Sequence, residues 1–301
     1  MQVTLSPTRC AICETESNAT EIYPASHDPS SFSPATFSAR RIPDRVHYRM
    51  VRCNNCGLVR SDPVADPALI AELYARSTFD YANEAKPLQR TYGRYLKKLG
   101  KDVTNHSLLE IGCGNGFFLE QALRQGYGDV WGVEPSRAAT ESASLETRPR
   151  IINDIIRPGL FPDERFDAIV MFQVLDHLSD PVAVLQLCWR LLKFGGAVLA
   201  LNHNVQAWSA GLLKERCPII DIEHTYLYSP TTMRRLFERC GFKTEMAGTV
   251  FNSYSLSYIM QLAPIAQGIK LPIVKVLKGS AAGRISLRIP LGNLYLIGRK
   301  T

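Results

Sequence analysis

From Ser107 to Asn202 short apolar runs alternate with stretches whose apolar positions recur at helical spacing. The runs are SLLEIG (107–112), DVWGVE (129–134), RIIND (150–154), FDAIVMFQV (166–174) and GGAVLALN (195–202). Between them the period predicts helices ending near Gln125, starting at Ser136, and spanning Pro181–Leu192. This alternation predicts a parallel sheet with helices on both faces. Further on, Ser229-Pro230 opens a helix over SPTTMRRLFERCG, closed by Gly241, and FKTEMAGTVF and NLYLIGRK read as two more strands. Upstream, Asp66-Pro67 supplies an N-cap and first-turn proline for a helix to about Arg76. A second helix from about Glu84 to Leu99 is expected to end with Gly100 as its C-cap. Residues 24–44 (PASHDPSSFSPATFSARRIPD) carry neither period and read as a loop.

The turn after the first of these runs is Glu110-Ile111-Gly112-Cys113-Gly114-Asn115-Gly116. Glycines between a strand and a helix let the backbone approach a ligand closely, and the helix N-terminus adds donors. The strand VWGVE ends on Glu134, where a carboxylate in a doubly wound sheet can accept both ribose hydroxyls. A dinucleotide fingerprint would need a small residue at 117, which is Phe117, and no GxxxxGK[ST] run exists. Glu110 disfavours a pyrophosphate beside it and suits a ligand carrying an ammonium group.

Taken together, ExGxGxG at 110–116, Glu134, Asp154 after the next strand and FDAIVMFQVLDHLSDP resemble the class I S-adenosylmethionine-dependent methyltransferases, particularly their small-molecule branch. The resemblance covers about residues 105–250. It implies a Rossmann-like α/β fold with a mostly parallel seven-stranded sheet. It also implies that Glu110, Gly112, Cys113, Gly114, Asn115 and Gly116 hold the methionine part of the cofactor. Glu134 and Pro135 would take the ribose, Asn153 and Asp154 would approach the adenine, and Phe172 and Gln173 would line the methionine end. Where the family usually shows Glu-His, this chain has Asp176-His177.

Cys10-Ala-Ile-Cys13 and Cys53-Asn-Asn-Cys56-Gly57 add a second chemistry. Two CxxC pairs have the spacing of zinc knuckles, and four thiolates close a structural tetrahedral site with no open position. Redox CxxC chemistry and unliganded thiols are the competing readings. The arrangement resembles the zinc module that precedes some sugar methyltransferases and, less closely, some ribosomal-RNA methyltransferases; in both it helps form the substrate side of the site. The expected organisation is a zinc-binding module at 1–62, a helical segment at 63–104, and a methyltransferase domain at 105–301 with a basic, apolar insertion at about 255–290.

Methyl transfer to oxygen or carbon needs a base. The candidates are His224, in IEHTYLYSP, taken first; His203, where LALNHN ends a strand; His177 beside Asp176; and Tyr226. For the two leading histidines a purely structural role competes, as helix capping does for Asp176. His27, His47 and His106 lie outside these elements.

Charge changes the picture only at the C-terminus. The chain has 301 residues and a formal net charge of +7, yet Met246–Thr301 holds seven Lys or Arg and no acid, so the first 245 residues are balanced. The insertion interleaves apolar residues with Lys and Arg, which suits a phosphate-bearing acceptor or the peripheral surface of an anionic membrane. A helical cap over the substrate cleft is the plainer alternative. Arg40, Arg41, Arg45, Arg49 and Arg52 are candidates for further phosphate contacts. No apolar run reaches the length of a membrane span, and the N-terminus shows no secretory pattern, so the expected place is the cytoplasm. The functional expectation is methyl transfer from S-adenosylmethionine to a small-molecule or carbohydrate-type acceptor, including nucleotide- or lipid-linked sugars, with a structural zinc. RNA methylation is a rival, opposed by the charge balance and the absence of a basic, aromatic stacking patch. A non-catalytic, cofactor-binding scaffold is the other.

Overall fold

The computed structural model describes residues 3–37, 44–77, 85–100, 106–262, 265 and 267–301. The N-terminal part contributes strands β1 (Leu5–Ser6), β2 (Ala19–Tyr23), β3 (Met50–Cys53), β4 (Val59–Ser61) and β5 (Val64–Ala65). Helices α1 (Pro67–Ala75) and α2 (Ala85–Leu96) follow. Asp66 caps α1 as its sequence predicts, its carboxylate accepting the Ala68 N–H at 2.8 Å. The start expected for α2 at Glu84 falls outside the described residues. Its end differs from expectation: α2 tightens into a 3-10 turn over Lys97–Leu99, and Gly100 is extended (φ 163°) rather than a left-handed cap.

The alternating region then runs β6 (Ser107–Ile111), α3 (Phe117–Arg124), β7 (Asp129–Val133), α4 (Arg137–Glu141), β8 (Ile151–Ile152), β9 (Phe166–Phe172), α5 (Pro181–Leu191) and β10 (Leu192–His203). It closes with α6 (Trp208–Leu213), β11 (Tyr226–Leu227), α7 (Pro230–Arg239), β12 (Lys243–Ser255), α8 (Leu256–Leu262), α9 (Gln267–Lys278) and β13 (Ser286–Arg299). Seven strands form one sheet in the order β12-β13-β10-β9-β6-β7-β8. The five from β8 to β10 are parallel, and β13 runs antiparallel between β10 and β12. This is the Rossmann-like, mostly parallel architecture the alternation predicts. Burial on both faces explains why β6, β9 and β10 read as continuous apolar runs.

Two features were not visible as patterns. β12 and β13 are longer than FKTEMAGTVF and NLYLIGRK, because their pairing continues through Asn252↔Ile289 to Ser255↔Ser286. The segment read as an insertion is therefore a two-stranded extension carrying α8 and α9. The second feature is β11, which pairs antiparallel with β4 and completes the sheet β11-β4-β3-β2. Cys10, Ala11, Cys53 and Leu58 share one core cluster with Leu109, Met171 and Leu236 of the large sheet region. Tyr226 donates to the Arg9 carbonyl at 2.8 Å, and Arg239 of α7 donates to the Ile12 carbonyl at 2.8 Å and pairs with Glu14.

The β6–α3 turn is packed against β7 at Gly132. A Cβ there would lie 2.5 Å from Cys113 Sγ and 3.0 Å from Leu119 Cδ1. Gly132→Ala is expected to lower stability by about 1–3 kcal/mol through overpacking. A reduced urea midpoint with unchanged slope is the readout, and wild-type stability would show that this contact is not tight.

Candidate active site

Parallel strands expose their carboxyl ends at one edge, and the predicted site residues collect there. Glu110 is the penultimate residue of β6 and is buried, with Oε2 lacking a hydrogen-bond partner among the described residues. Burial, reinforced by Glu134, raises its carboxyl well above the ordinary range. An unpartnered buried carboxylate is costly and is stabilised by a cationic group. Gly112, Gly114 and Gly116 all have positive φ (72°, 55° and 72°), so the turn needs residues without a Cβ penalty. A Cβ on Gly112 would meet Val174 Cγ2 at 2.5 Å, which places the turn directly against the segment after β9. The Glu134 carboxylate accepts the Gly114 and Ser136 N–H groups at 2.9 and 2.8 Å. Burial raises Glu134 and these two bonds pull it back, so it is fixed with further lone pairs available to hydroxyl donors.

Other residues of the expected cofactor set are placed less directly. Cys113 is buried, its thiol pushed well up by burial, so only its backbone can face a ligand. The Asn115 side chain accepts the Phe117 N–H at 3.4 Å, at the start of α3. Asn153 donates to the carbonyls of Glu134 and Pro135 at 2.8 and 3.0 Å, bracing the loop after β7. Asp154 pairs with Arg157 at 2.8 Å. Phe172, read as lining the methionine end, is packed in the core: its ring stacks on Tyr92 at 4.1 Å and meets Phe118 edge-on at 4.6 Å. Gln173 has a left-handed backbone (φ 58°), its N–H donating to the Leu201 carbonyl at 2.7 Å, and its Oε1 is buried without a partner. Strain beside an orphaned acceptor marks a position shaped for a ligand.

Asp176, His177, His203 and His224 form one cluster from three chain segments. Asp176 Oδ2 lies 2.7 Å from His203 Nδ1, and Oδ1 lies 3.7 Å from His177 Nε2. The His224 ring sits 4.8 Å from both the His177 and His203 rings. Burial alone would raise the Asp176 carboxyl, but the His203 hydrogen bond and the surrounding imidazoles overcome it and hold it far below the usual range. An ionised carboxylate can only accept, so His203 Nδ1 carries a proton, and in the neutral ring Nε2 holds the lone pair. His224 Nδ1 lies 2.8 Å from the Ile219 carbonyl, which fixes the same tautomer, and burial lowers its pKa. His177 is driven down to about 4 by burial, against the opposing pull of Asp176. His203 is the more exposed of the two leading histidines, while His224 is almost fully enclosed.

The N-terminal region supplies a residue that sequence reasoning missed. Tyr74 on α1 places its hydroxyl 2.9 Å from His177 Nδ1 and 3.3 Å from Glu223 Oε1. Its contacts lie more than 100 positions away in the chain, so no local pattern could reveal it. Ser61 of β4 donates to the His224 carbonyl at 2.7 Å, and the Asp176 carbonyl accepts the Thr225 and Tyr226 N–H groups. Of the candidate phosphate-binding arginines, Arg49 is committed to Asp62, and Arg40 and Arg41 fall outside the described residues.

Cys10, Cys13, Cys53 and Cys56 come together, their four sulfur atoms within 4.8 Å of one another and Cys10–Cys56 at 3.4 Å. Tetrahedral zinc with bonds of about 2.3 Å needs sulfurs roughly 3.8 Å apart, so this donor set fits a closed site. Burial would raise Cys53, but the Cys56 and Asn55 N–H groups bring it down to about 6, as a knuckle turn does for a thiolate ligand.

Residues 84–246, more than half of the chain, match the family model described as a methyltransferase domain. The chain belongs to the methyltransferase-domain family. A protein named ubiquinone biosynthesis O-methyltransferase from Histophilus somni is 27% identical over 157 residues, 47% of this chain and 66% of its own length. One of the same name from Idiomarina loihiensis is 25% identical over 206 residues, 62% of this chain and 84% of its own. The chain thus spans just under two thirds of the length of the Histophilus relative. Among solved structures, a SAM-dependent methyltransferase from Archaeoglobus fulgidus aligns with a TM-score of 0.50 at 19% identity, over 78% of this chain and 100% of that one. At that identity the likeness concerns the fold.

The buried Glu110 yields a direct test of this methyltransferase-domain site. Glu110→Gln is expected to leave the free protein at least as stable, because it removes a desolvated carboxylate. The same change should weaken S-adenosylmethionine binding about 10- to 100-fold, the loss of one charge-assisted hydrogen bond. Thermal melts and calorimetric titration read the two effects, and unchanged affinity would remove Glu110 from the cofactor site.

Proposed function

We propose that this chain transfers the methyl group of S-adenosylmethionine to a hydroxyl of a small-molecule or carbohydrate-type acceptor, with a structural zinc on the four cysteines. The observation that carries the reading is the Asp176–His203 pair, 2.7 Å apart at the ligand edge beside the glycine turn. The sequence relatives are named ubiquinone biosynthesis O-methyltransferases, which favours oxygen as the nucleophile.

S-adenosylmethionine supplies an electrophilic methyl on a sulfonium sulfur, and the chain supplies alignment and a base. Glu110 would hold the ammonium group, the Gly112–Gly116 backbone would lie along the methionine part, and Glu134 would take the ribose hydroxyls. His203 Nε2 would accept the acceptor's hydroxyl proton as the oxygen–methyl bond forms and the methyl–sulfur bond breaks. The sulfonium leaves as a neutral thioether, and Asp176 stabilises the imidazolium that results. His224, the first choice from sequence, has the same tautomer but is almost fully enclosed, so its role here is to border the acceptor. His177, turned by Tyr74, would do likewise.

The first experiment is titration with S-adenosylmethionine and S-adenosylhomocysteine, with NAD as control. Micromolar binding of the first two, lost in Gly114→Arg and Glu134→Ala, is expected; binding of NAD alone would overturn the reading. With an acceptor found by screening hydroxylated aromatics and nucleotide sugars, His203→Ala should lower kcat about 100-fold or more. Asp176→Asn should do nearly as much, with cofactor affinity unchanged in both. Full turnover by His203→Ala would remove this residue as the base.

Zinc is tested separately. The purified chain should carry one equivalent, and Cys13→Ser or Cys56→Ser should lose it and lower Tm by several degrees. Because β11 and Ser61 tie the cysteine region to His224, acceptor KM should suffer more than cofactor affinity. A metal-free wild type with an unchanged Tm would exclude the structural site.

A further inference from the structure

The β12–β13 extension carries an exposed surface that the methyl-transfer site does not use. On α9, Ile269 and Leu271 are each 61% exposed and Val276 is 71% exposed. At the base of the same unit Ile285 and Leu287 are 54% and 43% exposed. Ile269, Ile273 and Val276 recur at i, i+4 and i+7, so they form one stripe along the helix. Large apolar side chains grouped in this way are uncommon on a surface that meets only water.

Cations share the extension with these apolar side chains. Lys275 and Lys278 stand on α9 and Arg288 on β13, and none pairs with an acidic side chain among the described residues. Arg94 of α2 adds to this group: burial lowers its pKa, and proximity to Arg288 lowers it further. Lys270 and Arg284 also lie on the extension, whereas Arg299 and Lys300 are neutralised elsewhere, on Glu245 and Glu164. The chain's excess charge therefore sits on the extension and nowhere else in the C-terminal region.

We infer that α9 and the adjoining end of the β12–β13 hairpin dock on the surface of an anionic lipid bilayer. Exposed apolar side chains would enter the headgroup boundary while Lys275, Lys278 and Arg288 contact acidic headgroups. The charge distribution selects this occupant. A second copy of the chain would set cation against cation. A nucleic acid would satisfy the lysines and leave the apolar stripe in water. No helix among the described residues is long and apolar enough to cross a membrane, so the contact is with one surface.

The register gives the docking a direction. β10 ends at His203, opposite Asn293, whereas β13 continues back to Ser286 beyond that pair. Seven strand residues reach on the order of 20 Å past the edge where the cofactor and acceptor residues lie. A bilayer bound at the tip therefore lies on the ligand side of the sheet, within reach of an acceptor that partitions into lipid. This placement rests on hairpin geometry alone and stands whatever the acceptor proves to be.

Co-sedimentation of the full chain with phosphatidylcholine vesicles, with and without phosphatidylglycerol, tests the inference. Binding to the anionic vesicles, at least about tenfold tighter than to the neutral ones and weakened by salt, is expected. A Lys275→Glu/Lys278→Glu/Arg288→Glu variant and an Ile269→Ser/Leu271→Ser/Val276→Ser variant should each reduce it about tenfold or more. Both variants should keep wild-type circular dichroism and S-adenosylmethionine affinity, which separates loss of docking from loss of fold. Three results would overturn the inference: no preference for anionic vesicles, retention of binding by the apolar variant (a polyanion surface), or sedimentation showing self-association through this stripe without vesicle binding.

Discussion

The candidate site depends on how Asp176 is held. Its carboxylate is buried and meets His203 from the end of β10, while its carbonyl receives the N–H groups of Thr225 and Tyr226. One residue thereby ties together the loop after β9, the neighbouring strand and the segment that becomes β11. β11 then pairs with β4, so the same link extends to the cysteine-bearing sheet. The buried carboxylate stays ionised because His203 hydrogen-bonds it and the neighbouring imidazoles favour its charge, against the cost of desolvation. The N-terminal region is thus joined to the acceptor side of the site through main-chain bonds.

Much of this architecture was legible in the sequence because parallel sheets bury both faces. SLLEIG, FDAIVMFQV and GGAVLALN could be read as strands from their apolar continuity, and β10 extends only slightly further than GGAVLALN. The glycine turn was equally plain, since backbone with positive φ at Gly112, Gly114 and Gly116 leaves a composition signature. The two CxxC pairs announced themselves by spacing, and the fold brings their sulfurs together across the 39 residues between Cys13 and Cys53.

What the sequence concealed is tertiary. β11 is two residues long and acquires its strand character only from β4, so Tyr226-Leu227 has no period to detect. Tyr74 reaches His177 from a helix whose own pattern speaks only of packing. Phe172 has the position of a ligand-lining residue in the chain, but the direction of its side chain is decided by Tyr92 and Phe118, which lie on other helices. The order of the histidines was hidden for the same reason. A motif can name His224 and His203 together, whereas only their partners, a carbonyl for one and a carboxylate for the other, distinguish enclosure from chemistry.

The carboxyl edge of the sheet carries a cost that points to its purpose. Burial raises both the buried Glu110 and the half-buried Glu134, and the Glu134 charge raises Glu110 further. Glu134 is compensated by two N–H groups, but Glu110 Oε2 and the nearby Gln173 Oε1 are left without partners. A fold selected for stability alone would place apolar or satisfied groups there, since unpaired buried acceptors each cost about 1–3 kcal/mol. An ammonium-bearing ligand relieves the first deficit, and any donor at the methionine end relieves the second. The same edge keeps Asp176 ionised beside a histidine whose Nε2 is free to accept a proton. One side of the edge therefore favours a cation and the other favours proton removal, which are the two demands that methyl transfer from a sulfonium to a hydroxyl makes of its enzyme.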